Sequence, residues 1–139
     1  MENKVELSWQ GGMHFEAEGH EQIINIDANP ELGGSGKGVT PKKLMLTSLA
    51  GCSAMDIVSL LKKMRAEVAD IKIEVNANLT DEHPKFYDKV EMIYRFYGKD
   101  FKKDKIQKAV DLSVDRYCGV LKMFRGFSEL SIKIEYIEQ

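Results

Sequence analysis

The segment from Leu44 to Leu61 constrains the fold of this 139-residue chain most, because its 18 residues include a single charged side chain, that of Asp56. Thr40 and Pro41 come just before it. Threonine is a favoured N-cap and proline is favoured at the first helical position, so a helix is predicted to begin at Pro41. Its apolar residues lie on every side rather than along one stripe, and we expect the helix to be buried all round.

A membrane span is the main alternative for this helix. The apolar run is at the short limit for crossing a bilayer, and pairs of lysines flank it at both ends. Four hydroxyl side chains also interrupt it, those of Thr47, Ser48, Ser53 and Ser59. We therefore favour the core helix of a globular domain over a span.

Alternation of apolar and polar residues predicts six strands. The first three are short, and they carry Val5, Leu7 and Trp9, then Met13, Phe15 and Ala17, then residues 22–27. Gly11 and Gly12 are expected to form the first hairpin turn, and residues 29–38, with one proline and four glycines, a flexible loop. Three longer alternating runs follow at 71–79, 90–96 and 130–136.

A second, amphipathic helix is predicted between the fifth and sixth strands. Its apolar face comprises Ile106, Ala109, Val110, Ser113, Val114 and Tyr117, and Gly119 suits the C′ position just past a helix. The element order is then β-β-β-α-β-β-α-β, an α+β fold in a single domain of residues 1–139. These elements offer little cover for a helix that is apolar on all sides, so we expect an intertwined homodimer with central buried cysteine helices.

The charge balance excludes several classes of partner. Lysine and arginine total 20 and aspartate and glutamate total 22, for a net charge of -2. This balance argues against a strongly basic nucleic-acid binder and against a basic membrane-surface patch. The first residues, Met1 to Leu7, lack the apolar core of a signal peptide, so we expect a cytoplasmic protein whose thiols stay reduced.

Cys52 and Cys118 are the candidate catalytic residues. Their spacing does not match a zinc site, and the histidines are scattered, so we expect neither a metal nor a cofactor. The alternative for both cysteines is packing as small hydrophobic residues in the core.

The two predicted helices place Cys52 and Cys118 in different electrostatic surroundings. Asp56 lies one turn after Cys52 on the same helix face, where its charge raises the pKa of a thiol. Cys118 is placed at the end of the second helix, where the helix dipole disfavours a thiolate. Cys118 is therefore better suited as the second thiol of a pair than as the first attacker.

Several motifs in this order resemble the OsmC/Ohr family, whose names stand for osmotically inducible and organic hydroperoxide resistance proteins. The matching residues are His20 and Asp27 in the early strands, Gly33-Gly34, Gly38-Val39-Thr40-Pro41 at the helix opening, Cys52 in the helix, and Tyr117-Cys118-Gly119-Val120. The resemblance covers almost the whole chain. It implies an α+β homodimer with exchanged strands and the long cysteine helices packed at its centre.

The same resemblance implies a thiol-dependent, peroxiredoxin-like reduction of organic hydroperoxides in a stress response. Cys52 would attack the peroxide and become a sulfenic acid, and Cys118 would condense with it to a disulfide. An external dithiol would restore both thiols. The site would lie at the dimer interface, lined by apolar residues that select organic peroxides.

One pair of the family pattern is missing here. The family peroxidases carry a glutamate directly after the proline, paired with an arginine from an N-terminal loop that activates the first thiol. This chain has Lys42 there and no arginine before Arg65. The candidate cations are Lys42, Lys43, Arg116 and Arg125. The alternative function is therefore non-enzymatic, either binding of a small apolar ligand or redox sensing at the dimer interface.

Overall fold

The computed structural model describes residues 1–139 and shows a mixed α+β fold with two sheets and three α-helices. The elements in chain order are β1 (Glu6–Trp9), β2 (Phe15–Glu18), β3 (Ile24–Ile26), a 3-10 turn (Pro30–Leu32), α1 (Pro41–Lys63), β4 (Asp70–Leu79), β5 (Tyr87–Gly98), α2 (Lys103–Leu112), a π turn (Ser113–Tyr117), α3 (Gly119–Arg125) and β6 (Glu129–Glu138). All six predicted strands are present. The chain forms two compact units, Met1–Met45 and Leu46–Gln139.

The N-terminal unit holds the antiparallel sheet β1-β2-β3. Gly11 and Gly12 form its first turn with φ values of 99° and 55°, a region that favours glycine, which confirms the predicted hairpin. The loop after β3 is tied down rather than free. The Asp27 carboxylate accepts hydrogen bonds from the backbone N–H groups of Ala28, Ser35 and Lys37 and from the Ser35 hydroxyl.

The C-terminal unit is built on the sheet β4-β5-β6, with β5 in the centre. β4 pairs with β5 antiparallel, and β5 pairs with β6 in parallel from Lys89↔Glu129 to Gly98↔Glu138. Parallel neighbours need a crossover connection, which the segment from α2 through α3 provides. The hydrophobic core contains side chains from the sheet and from this crossover segment. Among them are Met92, Tyr94 and Phe96 of β5, Ile106 of α2, and Leu121 and Phe124 of α3.

α1 begins at Pro41, as predicted, but a single chain does not bury it all round. Its buried residues form one stripe at intervals of four, namely Leu49, Ser53, Ile57 and Leu61. Away from that stripe, Met55 is 75% exposed and Val58 is 56% exposed. The helix is long and apolar enough to span a membrane by length and composition, a test that core helices of soluble proteins also pass. The stripe gives α1 a core-facing side, and the rest of the helix surface is left without the cover that we expect from a second copy of the chain.

The predicted second helix is divided into two parts, α2 and the π turn, and the helix α3 that follows them was not foreseen. α2 ends at Leu112, and the backbone N–H of Cys118 reaches back five residues to the Ser113 carbonyl at 2.9 Å, the spacing of a π turn. Cys118 is extended (φ -76°, ψ 101°), which ends the turn. Gly119 is not a C′ residue, because it is the first residue of α3.

Candidate thiol site

The fold brings the two cysteines together, although 65 residues separate them in sequence. Cys52 lies in the middle of α1 and is half-buried. Cys118 lies between the π turn and α3 and is buried, with 4% of its surface exposed. Both thiols are free, and the side chain of Cys118 lies close to that of Cys52. The arrangement pairs an accessible sulfur with a sheltered one.

Cys118 lies at the end of the π turn that continues α2, which agrees with its predicted place at a helix C-terminus, and it is also the N-cap of α3. Its sulfur accepts a hydrogen bond from the backbone N–H of Leu121 at 3.3 Å. Burial nevertheless dominates and raises the pKa of Cys118 to about 11, with Cys52 and Asp56 acting in the same direction and the Leu121 N–H opposing them. The Cys118 thiol is therefore protonated at neutral pH.

Beside the cysteines lies a buried chain of hydroxyl groups, the side chains of Tyr94, Ser53 and Ser113, which we call the hydroxyl chain. The Tyr94 and Ser53 hydroxyl oxygens are 2.7 Å apart, and those of Ser53 and Ser113 are 2.8 Å apart. The Ser113 hydroxyl donates to a carboxylate oxygen of Asp56 at 3.2 Å. All three hydroxyl residues are fully buried, and burial raises the pKa of Tyr94 to about 12, so its phenol is neutral.

The predicted cations are not among the groups that shift the pKa of Cys118. The Arg125 guanidinium lies 3.4 Å from the Asp115 carboxylate, and the Arg116 guanidinium lies 5.6 Å from the centre of the Tyr117 ring. Lys42 and Lys43 belong to the first turn of α1. The thiol that lies beside Cys118 is that of Cys52.

His20 and Asp27, the early-strand residues of the family pattern, have surroundings that do not resemble a thiol site. His20 is exposed, whereas Asp27 is buried and closes the loop described above. The loop contacts lower the pKa of Asp27, with the Ser35 hydroxyl contributing most. Asp27 is thus accounted for as the anchor of its own loop.

A surface cavity of about 290 Å³ opens beside the C-terminal half of α1. It is lined by Met55, Asp56, Ser59, Leu60, Lys63 and Tyr117. Since Asp56 follows Cys52 by one turn and Tyr117 directly precedes Cys118, the cavity lies next to the chain segments that carry both thiols. Its mixed lining suits a small organic molecule with a polar group.

Comparison with known proteins agrees with this architecture. A family model described as OsmC-like protein matches residues 34–133. The chain belongs to the OsmC-like family. Protein YhfA of Escherichia coli K12 is 31% identical to this OsmC-like chain over 138 residues, covering 96% of this chain and 98% of YhfA.

Solved structures match the OsmC-like chain over its full length. A protein of Aquifex aeolicus VF5 is 32% identical, with a TM-score of 0.87 and coverage of 100% of this chain and 98% of that one. An organic hydroperoxide resistance protein OsmC from Legionella pneumophila is 16% identical, with a TM-score of 0.69 and coverage of 95% and 96%. The second likeness shows a shared fold.

The hydroxyl chain was not predicted from the sequence: Tyr94 had no assigned role, Ser53 counted only as a hydroxyl that interrupts the apolar run of α1, and Ser113 only as part of a helix face. One pattern could have revealed it. Ser53 interrupts the stripe of Leu49, Ile57 and Leu61, and a hydroxyl at such a core position needs a buried partner.

Proposed function

We propose that this OsmC-like protein reduces organic hydroperoxides through Cys52 and Cys118. The observation that carries the proposal is the close approach of two free thiols, one accessible and one buried with a raised pKa. The family membership supports it, since the Legionella relative is named for organic hydroperoxide resistance. The chain's single domain then forms one site per subunit.

Cys52 is the attacking thiol in this proposal. It belongs to the more exposed of the two cysteines, and the nearby protonated Cys118 thiol is able to donate a hydrogen bond to a Cys52 thiolate. The thiolate attacks the terminal peroxide oxygen, and the O–O bond breaks. The departing alkoxide takes a proton from water and leaves as an alcohol, and Cys52 is oxidised to a sulfenic acid.

Cys118 resolves the sulfenic acid. Its sulfur attacks the sulfur of Cys52, the S–O bond breaks, and the hydroxide leaves as water with the proton that Cys118 gives up. An external dithiol then reduces the Cys52–Cys118 disulfide by two successive exchanges and is itself oxidised to a disulfide. This cycle needs no metal or bound cofactor.

A homodimer forms part of the proposal. Met55 and Val58 expose apolar surface on the side of α1 away from its buried stripe, and a second α1 helix would cover them. The cavity beside Met55 and Asp56 would then lie at the interface, which favours apolar peroxides. A cytoplasmic location suits the proposal, because the thiols must be kept reduced between turnovers.

The direct test treats the fully reduced protein with cumene hydroperoxide and measures the intact mass and the cysteine pairing. An intramolecular Cys52–Cys118 disulfide and a stoichiometric amount of cumyl alcohol are expected. Unchanged free thiols after the peroxide treatment would refute the proposal.

A second candidate function is non-enzymatic binding of a small apolar ligand, or slow redox sensing, at the same place. The observation favouring it is that the chain has Lys42 in place of the glutamate that the family peroxidases carry there, and no arginine before Arg65 to activate the first thiol. Native mass spectrometry of gently purified protein distinguishes the two functions. A bound small molecule together with thiols that do not react with peroxide supports this second candidate.

A further inference from the structure

We propose that Ser113 is a positioning residue, which holds Cys118 against Cys52 by anchoring the π turn to α1. The inference rests on the proposed function, because the pair that Ser113 positions is the proposed redox pair. It assigns a role to the hydroxyl chain, which that function leaves unexplained.

Ser113 fixes the backbone of Cys118 directly. The Cys118 N–H donates to the Ser113 carbonyl at 2.9 Å, and this bond closes the π turn. π turns inside helices are rare and are often found at functional sites. The location of Cys118 is therefore determined by the location of Ser113.

The Ser113 side chain fixes the same turn to α1. Its hydroxyl lies 2.8 Å from that of Ser53, the residue directly after Cys52, and donates to Asp56 at 3.2 Å. A further contact joins it to the Ser53 carbonyl at 3.4 Å. One serine thus links the backbone before Cys118 to the helix turn that carries Cys52.

The hydroxyl chain satisfies each of its three hydroxyl groups with buried partners. A carboxylate only accepts, so when Ser113 donates to Asp56, Ser53 donates to Ser113 and the neutral Tyr94 phenol donates to Ser53. The Ser53 carbonyl and the Met92 sulfur are further acceptors, for Ser113 at 3.4 Å and for Tyr94 at 3.7 Å. Buried hydroxyl groups without a partner are costly, so these contacts hold the three side chains together. No buried side-chain oxygen or nitrogen lacks a partner.

The test measures how readily the two thiols form their disulfide, without any peroxide. The protein is equilibrated with mixtures of reduced and oxidised glutathione, and the fraction carrying the Cys52–Cys118 disulfide is counted by thiol trapping and mass spectrometry. Ser113→Ala is expected to lower this equilibrium constant about tenfold, because a displaced thiol has a lower effective concentration.

Two further variants separate positioning from general destabilisation. Ser113→Thr keeps the hydroxyl and is expected to recover most of the constant, and Ser131→Ala removes an exposed hydroxyl from β6 and should leave it unchanged. A folded Ser113→Ala protein with the wild-type constant would overturn the proposal. If Ser113→Ala does not fold, Tyr94→Phe decides, with about a threefold decrease expected and an unchanged constant overturning it.

The outcome is distinguishable from failure of the proposed function. A protein that forms the disulfide with glutathione but does not consume cumene hydroperoxide refutes the peroxidase proposal and leaves the role of Ser113 intact. A protein that consumes the peroxide, with Ser113→Ala converting Cys52 sulfenic acid to disulfide at the wild-type rate, refutes only the role of Ser113.

Discussion

The backbone N–H of Leu121 donates a hydrogen bond to the sulfur of Cys118 at 3.3 Å. By itself this bond favours a thiolate, yet burial outweighs it and the pKa of Cys118 rises to about 11. The bond thus orients the sulfur without ionising it. A thiol that stays protonated until a partner sulfur is oxidised is suited to the second step of a two-thiol reaction.

Replacing Cys118 by serine should separate the two proposed steps. Cys118→Ser can still form the Cys52 sulfenic acid but cannot form the disulfide, so turnover with a dithiol is expected to fall at least about tenfold. Dimedone labelling followed by mass spectrometry measures the trapped sulfenic acid. Cys52→Ser is the control and should take up no dimedone, whereas wild-type turnover by Cys118→Ser would contradict the assignment.

The two thiols should react with alkylating reagents in a fixed order. At neutral pH, iodoacetamide is expected to label Cys52 first, because Cys118 is buried and its raised pKa leaves almost no thiolate. Peptide mapping over a time course measures the order. In urea, where both thiols are exposed, the two rates should become similar, and faster labelling of Cys118 in the folded protein would count against the structure of the site.

The side of α1 that faces away from its own core should mediate dimer formation. Val58→Asp places a charge on this apolar surface and is expected to shift the protein from dimer to monomer, because burying an unpaired charge is costly. Sedimentation velocity measures the mass. Ser131→Asp, which adds the same charge on exposed β6, should leave the oligomeric state unchanged, and a dimer in both variants would exclude this surface.

The buried stripe of α1 should carry much of the stability of its unit. Leu49 is completely buried, so Leu49→Ala is expected to lower the free energy of unfolding by about 2–5 kcal/mol through lost burial and the cavity left behind. Leu32, which is 72% exposed, provides the matched control, and Leu32→Ala should change it by about 0.5 kcal/mol or less. Urea unfolding gives both values.

Asp27 should make the loop after β3 sensitive to acid. Its contacts lower its pKa in the folded protein below the ordinary 3.8, so the ionised form favours folding. The stabilisation is therefore present above that ordinary value and is lost as the pH falls through the lowered pKa. Asp27→Asn should be less stable than wild type at neutral pH, and the difference should shrink in strong acid.

Urea unfolding at several pH values, with limited proteolysis of residues 33–38, measures this effect. Glu31→Gln removes an exposed carboxylate from the same loop and serves as the control. Equal stability of Asp27→Asn and wild type at neutral pH would contradict the role of Asp27.

The strands could be predicted from the sequence because the alternation of apolar and polar residues within each strand indicates which of its sides is buried. In β4, for example, Ile71, Ile73 and Val75 alternate with polar residues, and the pairing with β5 keeps that alternation up to the register shift at Asn78 and Leu79. The start of α1 at Pro41 is equally local. These elements are fixed by neighbours within a few residues.

The failures arise where distant contacts decide the local structure. Glycine is the residue type that commonly follows the end of a helix, so Gly119 predicted a helix end. The Cys118–Ser113 backbone hydrogen bond and the anchoring of Ser113 to α1 instead direct the chain into a new helix, α3. Ser53 and Ser113 are 60 residues apart, so no local pattern reports their contact. Burial of the exposed side of α1 is likewise not decided by local sequence, because it requires surface that the single chain does not supply.

The π turn has a consequence for how chains of this kind can be altered. An α-helix turns its side chains by about 100° per residue, and a π turn accommodates one more residue than an α turn. Deleting one residue between Ser113 and Tyr117 would turn the π turn into an α turn, which takes up the change locally and leaves the following chain near its present orientation. Deleting one residue from the regular helix α2 would instead rotate the segment that carries Cys118 by that angle relative to the rest of the helix. The chain therefore tolerates a change of length at the π turn better than one residue earlier, although both changes leave the two thiols in the sequence.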